Sequence, residues 1–332
     1  MYIIETYTLA VIFCIITMLC WGSWANTQKL AASSWRFELF YWDYVLGILI
    51  MSVFFAFTLG SNGAEGRSFL ADLQQGEGAS INSALLGGIL FNLANILLSA
   101  SIAIAGMAVA FPVGIGLALV IGVVVNYLDA PVGQAGLLFS GVAFIALAIL
   151  LNAYSYRQLK SSSSQPGANK GLWLALIAGI LMGFFYKYVA QSMFPDFNEP
   201  LPGKLSPYTA VFLFAIGILM SNVVFNSILM YRPFNGSAVS YGHYFRGELK
   251  NHLTGILGGM IWCVGMSFSI IASDKAGPAI SYGLGQGATV IAAIWGIFIW
   301  KEFKGAAQST HRLLYIMLGL YILGLALIIG AR

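Results

Sequence analysis

Residues 85–116 read LLGGILFNLANILLSASIAIAGMAVAFPVGIG, and residues 256–287 read ILGGMIWCVGMSFSIIASDKAGPAISYGLGQG. Both segments are long and apolar, and placing Leu85 on Ile256 aligns them along their whole length without a gap. Placing Gly47 on Gly217 likewise aligns GILIMSVFF with GILMSNVVF. The chain therefore contains an internal repeat, whose matched small residues are Gly87 with Gly258, Gly88 with Gly259, Ala105 with Ala276, Gly106 with Gly277, Ala108 with Ala279, Gly114 with Gly285 and Gly116 with Gly287.

The composition of the 332 residues indicates an integral membrane protein. Hydrophobic residues make up 59% of the chain and charged residues only 8%, whereas soluble domains carry about 25% charged residues. So few charges cannot cover a water-soluble surface. The net charge of +4 is small and the basic residues are scattered between apolar segments, so nucleic-acid binding has little support.

Ten apolar segments are each long enough to cross a bilayer, which takes about 20 residues. They lack the period-2 alternation of a transmembrane barrel. The predicted fold is therefore an all-α integral membrane protein with ten transmembrane helices. The expected spans are roughly Tyr7–Gln28, Phe37–Leu59, Ile81–Ala103, Gly106–Leu128, Gln134–Tyr154, Gly171–Ala190, Pro207–Leu229, His252–Ser273, Gly277–Trp300 and His311–Gly330.

The Ser-rich segment SYRQLKSSSSQPGANKG divides the spans into two sets of five. The predicted organisation is a five-helix repeat at residues 1–155, a flexible cytoplasmic linker at 156–170 and a second five-helix repeat at 171–332. Because five is odd, the second repeat is expected to be inverted in the membrane relative to the first. Inverted repeats are typical of transporters that open to each side in turn, although channels and membrane enzymes can also be duplicated.

Lysine and arginine predict the orientation. The loops on the side of the Ser-rich linker hold eleven of these residues, and the loops on the opposite side hold four. The positive-inside rule therefore predicts that the linker is cytoplasmic and that both termini lie outside, in a multi-pass protein of the cytoplasmic (inner) membrane.

The first span ends in CWGSWANTQKL, residues 20–30. Its polar and aromatic residues Trp21, Ser23, Trp24 and Asn26 are expected in the inner half of the membrane. One interpretation is an aromatic and amide lining for a polar solute. The other is a belt of tryptophans at the membrane interface, followed by a polar helix end.

Two charged residues lie within apolar spans. Asp43, in FYWDYVLG, is either an interfacial acid or a group that carries a coupling proton or binds a solute N–H or hydroxyl. Lys187, beside Tyr186 in FFYKYVAQ, either contacts substrate or extends to the outer face. The depths of Asp43 and Lys187 predict no ion pair between them.

Three pairs of hydrogen-bonding residues are spaced three or four apart, so that each pair shares one helix face. Side-chain amides donate and accept hydrogen bonds at once, which suits neutral polyols, amides or ureides. Hydrogen bonds between helices are the alternative role. The pairs are Asn92 with Asn95, Asn222 with Asn226, and Tyr282 with Gln286.

The histidines are all at loop ends and are interpreted as ordinary interface residues. No His, Cys or Glu cluster has metal-site spacing and no nucleophile–base pair stands out. We therefore expect a non-enzyme without metal or cofactor. The expected partners are a small polar solute, a proton or other coupling ion and the lipid bilayer, with a homodimer left open.

Several segments, in their order along the chain, resemble one known family. They include MYIIE, WGSWANTQKL, WDYVLG, FLADLQQ, NYLDAPVG, FLFAIGILMSNVVFNSILMYRP and the C-terminal segment that begins AGPAISYGLGQG. Together they are similar to the ureide permeases and, more distantly, to bacterial glucose/ribose uptake permeases, both in the drug/metabolite transporter (DMT) superfamily.

This resemblance implies ten helices, proton-coupled or facilitated uptake, and a polar, mostly uncharged substrate. The expected function is a secondary active transporter, a permease for a sugar or a ureide- or nucleobase-like compound, with a DMT-type drug or metabolite exporter as the alternative. Plant ureide permeases carry a long central loop with a nucleotide-like motif. The short Ser-rich linker lacks that motif, which favours a bacterial-type member.

Overall fold

A computed structural model describes residues 1–32, 34–63, 65–105, 110–159, 168–234 and 236–332. Within these ranges the regular structure is helical, apart from an isolated β-bridge between Met193 and Leu205. The α-helices of the described ranges are α1 (Tyr7–Ser23), α2 (Phe37–Phe57), α3 (Phe69–Gln75), α4 (Gly78–Ala105), α5 (Gly116–Asp129), α6 (Ala135–Leu159), α7 (Ala168–Ser192), α8 (Pro207–Tyr231), α9 (Tyr241–Phe245), α10 (Leu249–Ala276), α11 (Pro278–Gly285), α12 (Ala288–Ile294) and α13 (Gln308–Ile329).

Nine helices in the described part of the chain are long and apolar enough to cross a membrane. One of them is formed by α11, α12 and the π-helical turn Trp295–Ile299 together. The predicted span Gly106–Leu128 begins in residues outside the described ranges, and its described part is a shorter apolar helix, Val113–Asp129. The chain is therefore an all-α, multi-pass membrane protein, as its composition predicted.

The predicted linker, residues 156–170, is helical at both ends. α6 continues to Leu159 and α7 begins at Ala168, while residues 160–167 lie outside the described ranges. The extension of α6 has a clear cause, because the Tyr156 hydroxyl donates to Glu302 Oε2 at 2.6 Å and its ring packs on Phe303.

The bundle has two ends, which we call the linker face and the termini face. The linker face carries residues 31–32, 34–36, 232–234, 236–248 and 300–307. The Lys29–Glu302 ion pair, at 3.4 Å, joins the 3₁₀ helix Trp24–Leu30 to the last of these segments. The termini face carries both chain ends. There the amide of Tyr2 donates to Leu59 O at 2.7 Å and the Tyr7 hydroxyl donates to Ile329 O at 2.6 Å.

The repeat glycines lie where helices approach most closely. A side-chain carbon at Gly259 of α10 would overlap the carbonyl oxygen of Tyr44 on α2, and one at Gly47 of α2 would overlap that of Ile256 on α10. Only a hydrogen fits at either place, so α2 and α10 pack backbone to backbone.

The contact between α4 and α8 has the same form. A side-chain carbon at Gly88 would overlap the carbonyl oxygen of Phe214, and one at Gly217 would overlap that of Leu85. The first alignment of the repeat pairs Gly88 with Gly259 and Leu85 with Ile256. The second pairs Gly217 with Gly47 and, three residues earlier, Phe214 with Tyr44. The two contacts are therefore equivalent under the sequence repeat.

Two segments cover the termini face. One comprises residues 58–63 and 65–77 and contains α3, and the other comprises residues 193–206. The carboxylate of Asp72 is fully buried between them and accepts hydrogen bonds from Arg67 Nε at 2.9 Å and from the Ser206 amide at 2.7 Å. Arg67 also donates to the carbonyl oxygens of Leu201 and Lys204. This arrangement, the Asp72 clasp, fastens the two segments together.

Candidate functional site

A large cavity, with a volume of about 1170 Å³, lies inside the helix bundle. Its walls come from both halves of the chain, namely α1, α4 and α5 of the first half and α7, α10 and α12 of the second. It extends to the linker face, where Arg36, Phe234 and Gly236 border it. The cavity is therefore a cleft between the halves that reaches one end of the bundle.

Aromatic side chains form the deep end of the cavity. The rings of Trp21 and Trp262 stack with centroids 5.7 Å apart, and Phe91 lies 4.3 Å from Trp262. Phe91 and Trp262 each stand at the middle of a helix of 28 residues, so the cavity ends near the middle of the bundle. The gap-free alignment of the repeat also pairs Phe91 with Trp262.

Amides and hydroxyls provide the polar part of the lining. Asn95 of α4 and Gln286, between α11 and α12, both line the cavity, together with Ser99 and Thr289. Within the described residues the Gln286 side chain makes no hydrogen bond. Gln286 follows the end of α11, and its backbone carbonyl accepts from Thr289 Oγ1 at 3.0 Å. Its amide is thus available to a solute.

The structure brings four of the predicted site residues to the cavity wall, namely Trp21, Trp24, Asn95 and Gln286. Contacts within the protein hold Trp21 and Trp24 in place. Trp21 Nε1 donates to Trp262 O at 3.2 Å, and the ring centroids of Trp24 and Tyr44 are 4.5 Å apart. Both indoles are therefore held in place as part of an aromatic cavity wall.

Ser23 and Asn26 are placed outside this lining and bond to other tryptophans. Ser23 Oγ accepts from Trp295 Nε1 at 2.9 Å, and Asn26 Oδ1 accepts from Trp300 Nε1 at 2.7 Å. Ser23 is the last residue of α1, and Asn26 lies in the 3₁₀ helix Trp24–Leu30 that follows it.

Three further predicted residues lie in packed helix contacts beyond the lining. Tyr186 is fully buried and its hydroxyl lies 3.0 Å from Ser269 Oγ, while the Tyr282 hydroxyl donates to Ala118 O at 3.1 Å. Asn92, also fully buried, donates to Ser221 Oγ at 2.9 Å. In this conformation their hydrogen bonds join helices.

Asn222 and Asn226 of α8 are fully buried and incompletely bonded. Neither amide atom of Asn222 has a hydrogen-bond partner in the described part of the chain, and Asn226 donates to Glu38 O at 2.9 Å but leaves its Oδ1 unpaired. Unpaired buried amides are costly in a bilayer. A role for them in solute binding stays a prediction.

Lys187 forms an ion pair with Asp129, with Nζ 3.2 Å from Oδ1. Gln191, one turn further along α7, donates to the same carboxylate oxygen at 2.6 Å. Asp129 ends α5 near the termini face, so the amine is directed away from the cavity. The expected absence of a Lys187–Asp43 pair agrees with this geometry.

Asp43 lies near the linker face in a cluster that sequence reasoning missed. Its side chain is 1% exposed, accepts from the Tyr244 hydroxyl at 2.7 Å and contacts His252 Nδ1 at 2.9 Å. Trp35, which lines the cavity, lies edge-on to His252 at 5.0 Å and separates the cluster from the cavity. His252, interpreted from the sequence as an ordinary interface residue, is thus in contact with a predicted site residue.

The environment of Tyr244 keeps its hydroxyl protonated. Burial, followed by the hydrogen bond to and the negative charge of Asp43, raises the pKa of Tyr244 above its ordinary value. A neutral phenol can donate to the carboxylate throughout the physiological pH range.

Sequence reasoning also missed Tyr41, Trp35 and Trp262. A signal for Trp262 was present, because the repeat aligns it with Phe91. Tyr41 belongs to the same FYWDYVLG segment as Asp43 and stands two residues before it. For metals, no group of three or more His, Cys, Asp or Glu side chains comes together among the residues that the structure describes.

The profile of the ureide permease family matches residues 40–167 and 157–331. Ureide permease 4 of Arabidopsis thaliana is 23% identical over 100% of this chain and 99% of its own length, and ureide permease 1 of the same plant is 24% identical over the same shares. Glucose uptake protein GlcU of Bacillus subtilis (strain 168) is 25% identical over 72% of this chain and 74% of its own. One crystal structure superposes with a TM-score of 0.61 at 14% identity, over 97% of this chain and 96% of the other, which supports the fold alone.

Proposed function

The chain belongs to the ureide permease family, and from this premise we propose that it is a secondary active transporter of a sugar or a ureide- or nucleobase-like compound. Its relatives are named ureide permeases and a glucose uptake protein, so the chain is a membrane transporter of small metabolites. The observation that carries the proposed substrate class is the cavity between the two halves.

The size and lining of the cavity suit a small polar ring compound. Ligand pockets commonly measure about 300–1,000 Å³, so about 1170 Å³ holds such a solute together with water. The indole faces of Trp21 and Trp24 offer stacking surfaces. The amides of Asn95 and Gln286 offer hydrogen bonds to N–H, hydroxyl or carbonyl groups.

The charges at the mouth of the cavity favour an uncharged solute. Two cations line it, Lys29 and Arg36. Lys29 is paired with Glu302 at 3.4 Å, and Arg36 forms a bidentate pair with Glu38. Each positive charge is thus compensated by the protein itself and offers little net attraction to an anion.

The proposed mechanism is alternating access by two inverted five-helix repeats. The support for this mechanism is that the α2–α10 and α4–α8 contacts are equivalent under the sequence repeat. Under the predicted orientation the linker face is cytoplasmic, so the cavity is open inward and the Asp72 clasp closes the outer side. Closure of the linker face together with release of the Asp72 clasp would open the cavity outward.

We assign the coupling proton to Asp43. A buried carboxylate beside His252 and Tyr244 can hold a proton near the linker face, behind the Trp35 ring that lines the cavity. In vesicles, Asp43→Asn should abolish the stimulation of uptake by an inward proton gradient. The exposed acid Asp196 provides a control, since Asp196→Asn should leave the stimulation unchanged. Full gradient-driven uptake by Asp43→Asn would refute the assignment.

The proposal is tested with purified protein in proteoliposomes and radiolabelled glucose, allantoin and uracil, with and without a pH gradient. Trp24→Ala and Gln286→Ala should each reduce uptake of the transported compound by about tenfold, the loss of one well-placed contact. Matched controls are Trp173→Ala, at a side chain 66% exposed, and Gln308→Ala at the exposed start of α13. Normal uptake by both cavity variants would sink the proposal.

An exporter is the second candidate, because apolar and aromatic side chains dominate the cavity wall. It predicts that inverted vesicles accumulate a lipophilic cation such as ethidium in a saturable manner. Saturable ethidium transport together with no uptake of the three polar compounds would favour export over the proposed permease.

A further inference from the structure

A chain of hydrogen bonds leads from the cavity wall into the packed interior. Asn95 Nδ2 donates to the Tyr41 hydroxyl at 3.1 Å, and that hydroxyl donates to Asn92 Oδ1 at 3.0 Å. Asn92 Nδ2 then donates to Ser221 Oγ at 2.9 Å, and Ser221 donates to Gly217 O at 2.8 Å. The chain thus joins α4, α2 and α8.

The directions of the bonds in this chain agree with one another from its buried end. The Ser221 hydroxyl lies 2.8 and 3.0 Å from the carbonyl oxygens of Gly217 and Ile218, which only accept, and with its proton directed to them it accepts from Asn92. The Asn92 amide is then oriented with Nδ2 toward Ser221, and its Oδ1 must accept from Tyr41. The single proton of Tyr41 is used there, so its oxygen can only accept from Asn95.

This directionality fixes the amide of Asn95 at the cavity wall. Its Nδ2 is held by Tyr41, so its Oδ1 points the other way. Among the described residues, Oδ1 has no hydrogen-bond partner and it is not one of the fully buried unpaired atoms. Because Asn95 lines the cavity, this oxygen faces the solute space.

We propose that Tyr41 is a positioning residue that orients the amide of Asn95 so that its acceptor Oδ1 faces the solute, and that the transported solute presents an N–H or O–H donor to this oxygen. The inference rests on the proposed function, because it assigns a specificity rule to the same cavity. Without the Tyr41 hydroxyl the Asn95 amide can rotate, and either a donor or an acceptor would then face the solute.

Tyr44 provides a matched control on the same helix. It stands three residues after Tyr41, and both side chains are fully buried. The hydroxyl of Tyr44, unlike that of Tyr41, has no hydrogen-bond partner in the described part of the chain. Tyr41→Phe and Tyr44→Phe therefore remove the same atom from similar surroundings, but only the first releases Asn95.

The functional test compares each transported probe with an analogue in which one donor is blocked by a methyl group. The probes are uracil with 1-methyl- and 3-methyluracil, glucose with its O-methyl ethers, and allantoin with its N-methyl derivatives. In the wild type and Tyr44→Phe, one blocked analogue should bind about tenfold worse than its parent. In Tyr41→Phe the ratio of the analogue's Kd to the parent's Kd should fall by about 3- to 10-fold. If the added methyl group weakened binding only by a steric clash with the cavity wall, this ratio would be the same in Tyr41→Phe as in the wild type.

A second readout needs no substrate. With ¹⁵N-labelled asparagine, the Asn95 side-chain signal is identified by its loss in Asn95→Ala. Its bonded Nδ2 proton should exchange with water about tenfold faster in Tyr41→Phe than in the wild type or Tyr44→Phe. Equal exchange in all three, or an unchanged analogue ratio in Tyr41→Phe, would overturn the positioning role. If no probe is transported while exchange changes as expected, the proposed substrate class fails and the positioning of Asn95 stands.

Discussion

The glycine contacts between helices lead to a prediction in which two distant substitutions have the same effect. Gly259→Ala places a methyl group against the carbonyl oxygen of Tyr44, and Gly88→Ala places one against that of Phe214. In both cases the obstacle is the backbone of a facing helix, which cannot rotate aside. The helices must therefore separate by on the order of 1 Å to restore normal contact distances.

The expected cost follows from two opposing terms. Alanine is favoured over glycine inside a helix by about 1 kcal/mol. Overpacking costs about 1–3 kcal/mol, and more where the neighbour is rigid, so we take the upper end for a backbone obstacle. The net loss of stability is about 2 kcal/mol for each variant, which corresponds to an apparent Tm lower by about 3–6 °C.

Thermal unfolding of the detergent-solubilised protein, followed by tryptophan fluorescence, measures the effect. Gly319→Ala on α13 is the control, because a side-chain carbon there meets no atom within 4 Å. It gains the helix propensity without the clash, so its Tm should stay the same or rise. If Gly88→Ala and Gly259→Ala both unfold at or above the wild-type temperature, the close helix contact and the reasoning from it are wrong.

Two further predictions concern ion pairs. Arg67→Ala leaves the fully buried Asp72 carboxylate without its cation and should lower the unfolding free energy by about 3 kcal/mol. The control Arg246→Ala removes an exposed cation and should leave the unfolding free energy unchanged. Equal Tm values for the two variants would show that the Asp72 clasp adds no stability. Lys187→Met breaks a half-exposed pair with Asp129, so stability should change by less than about 1 kcal/mol and uptake should be unaffected. A large loss of uptake in Lys187→Met proteoliposomes would instead support its predicted role as a substrate ligand.

The sequence predicted the helical membrane fold because composition and span length determine it. The sequence also revealed the repeat that pairs Gly88 with Gly259, and the structure shows that both glycines permit close helix contacts. Helical spacing correctly placed Asn92 and Asn95 on one face of α4. It could not predict that Tyr41 of α2 lies between them, so that Asn95 reaches the cavity and Asn92 does not.

The same limit explains the other differences at the site. Spacing identifies a face of a helix but not the neighbour that the face meets, and Tyr282 meets the backbone of α5 and α7 instead of the cavity. His252 was overlooked because its importance comes from Asp43, which lies far earlier in the chain. Contacts over such distances depend on how helices pack, which local periodicity does not encode.

The self-compensated charges at the cavity mouth have a kinetic consequence. Long-range electrostatic steering accelerates the capture of charged ligands and fades as added salt shortens the Debye length. With Lys29 neutralised by Glu302 and Arg36 by Glu38, the opening generates little field that extends into bulk water. A solute therefore arrives by unassisted diffusion, and its rate of capture should be nearly indifferent to ionic strength.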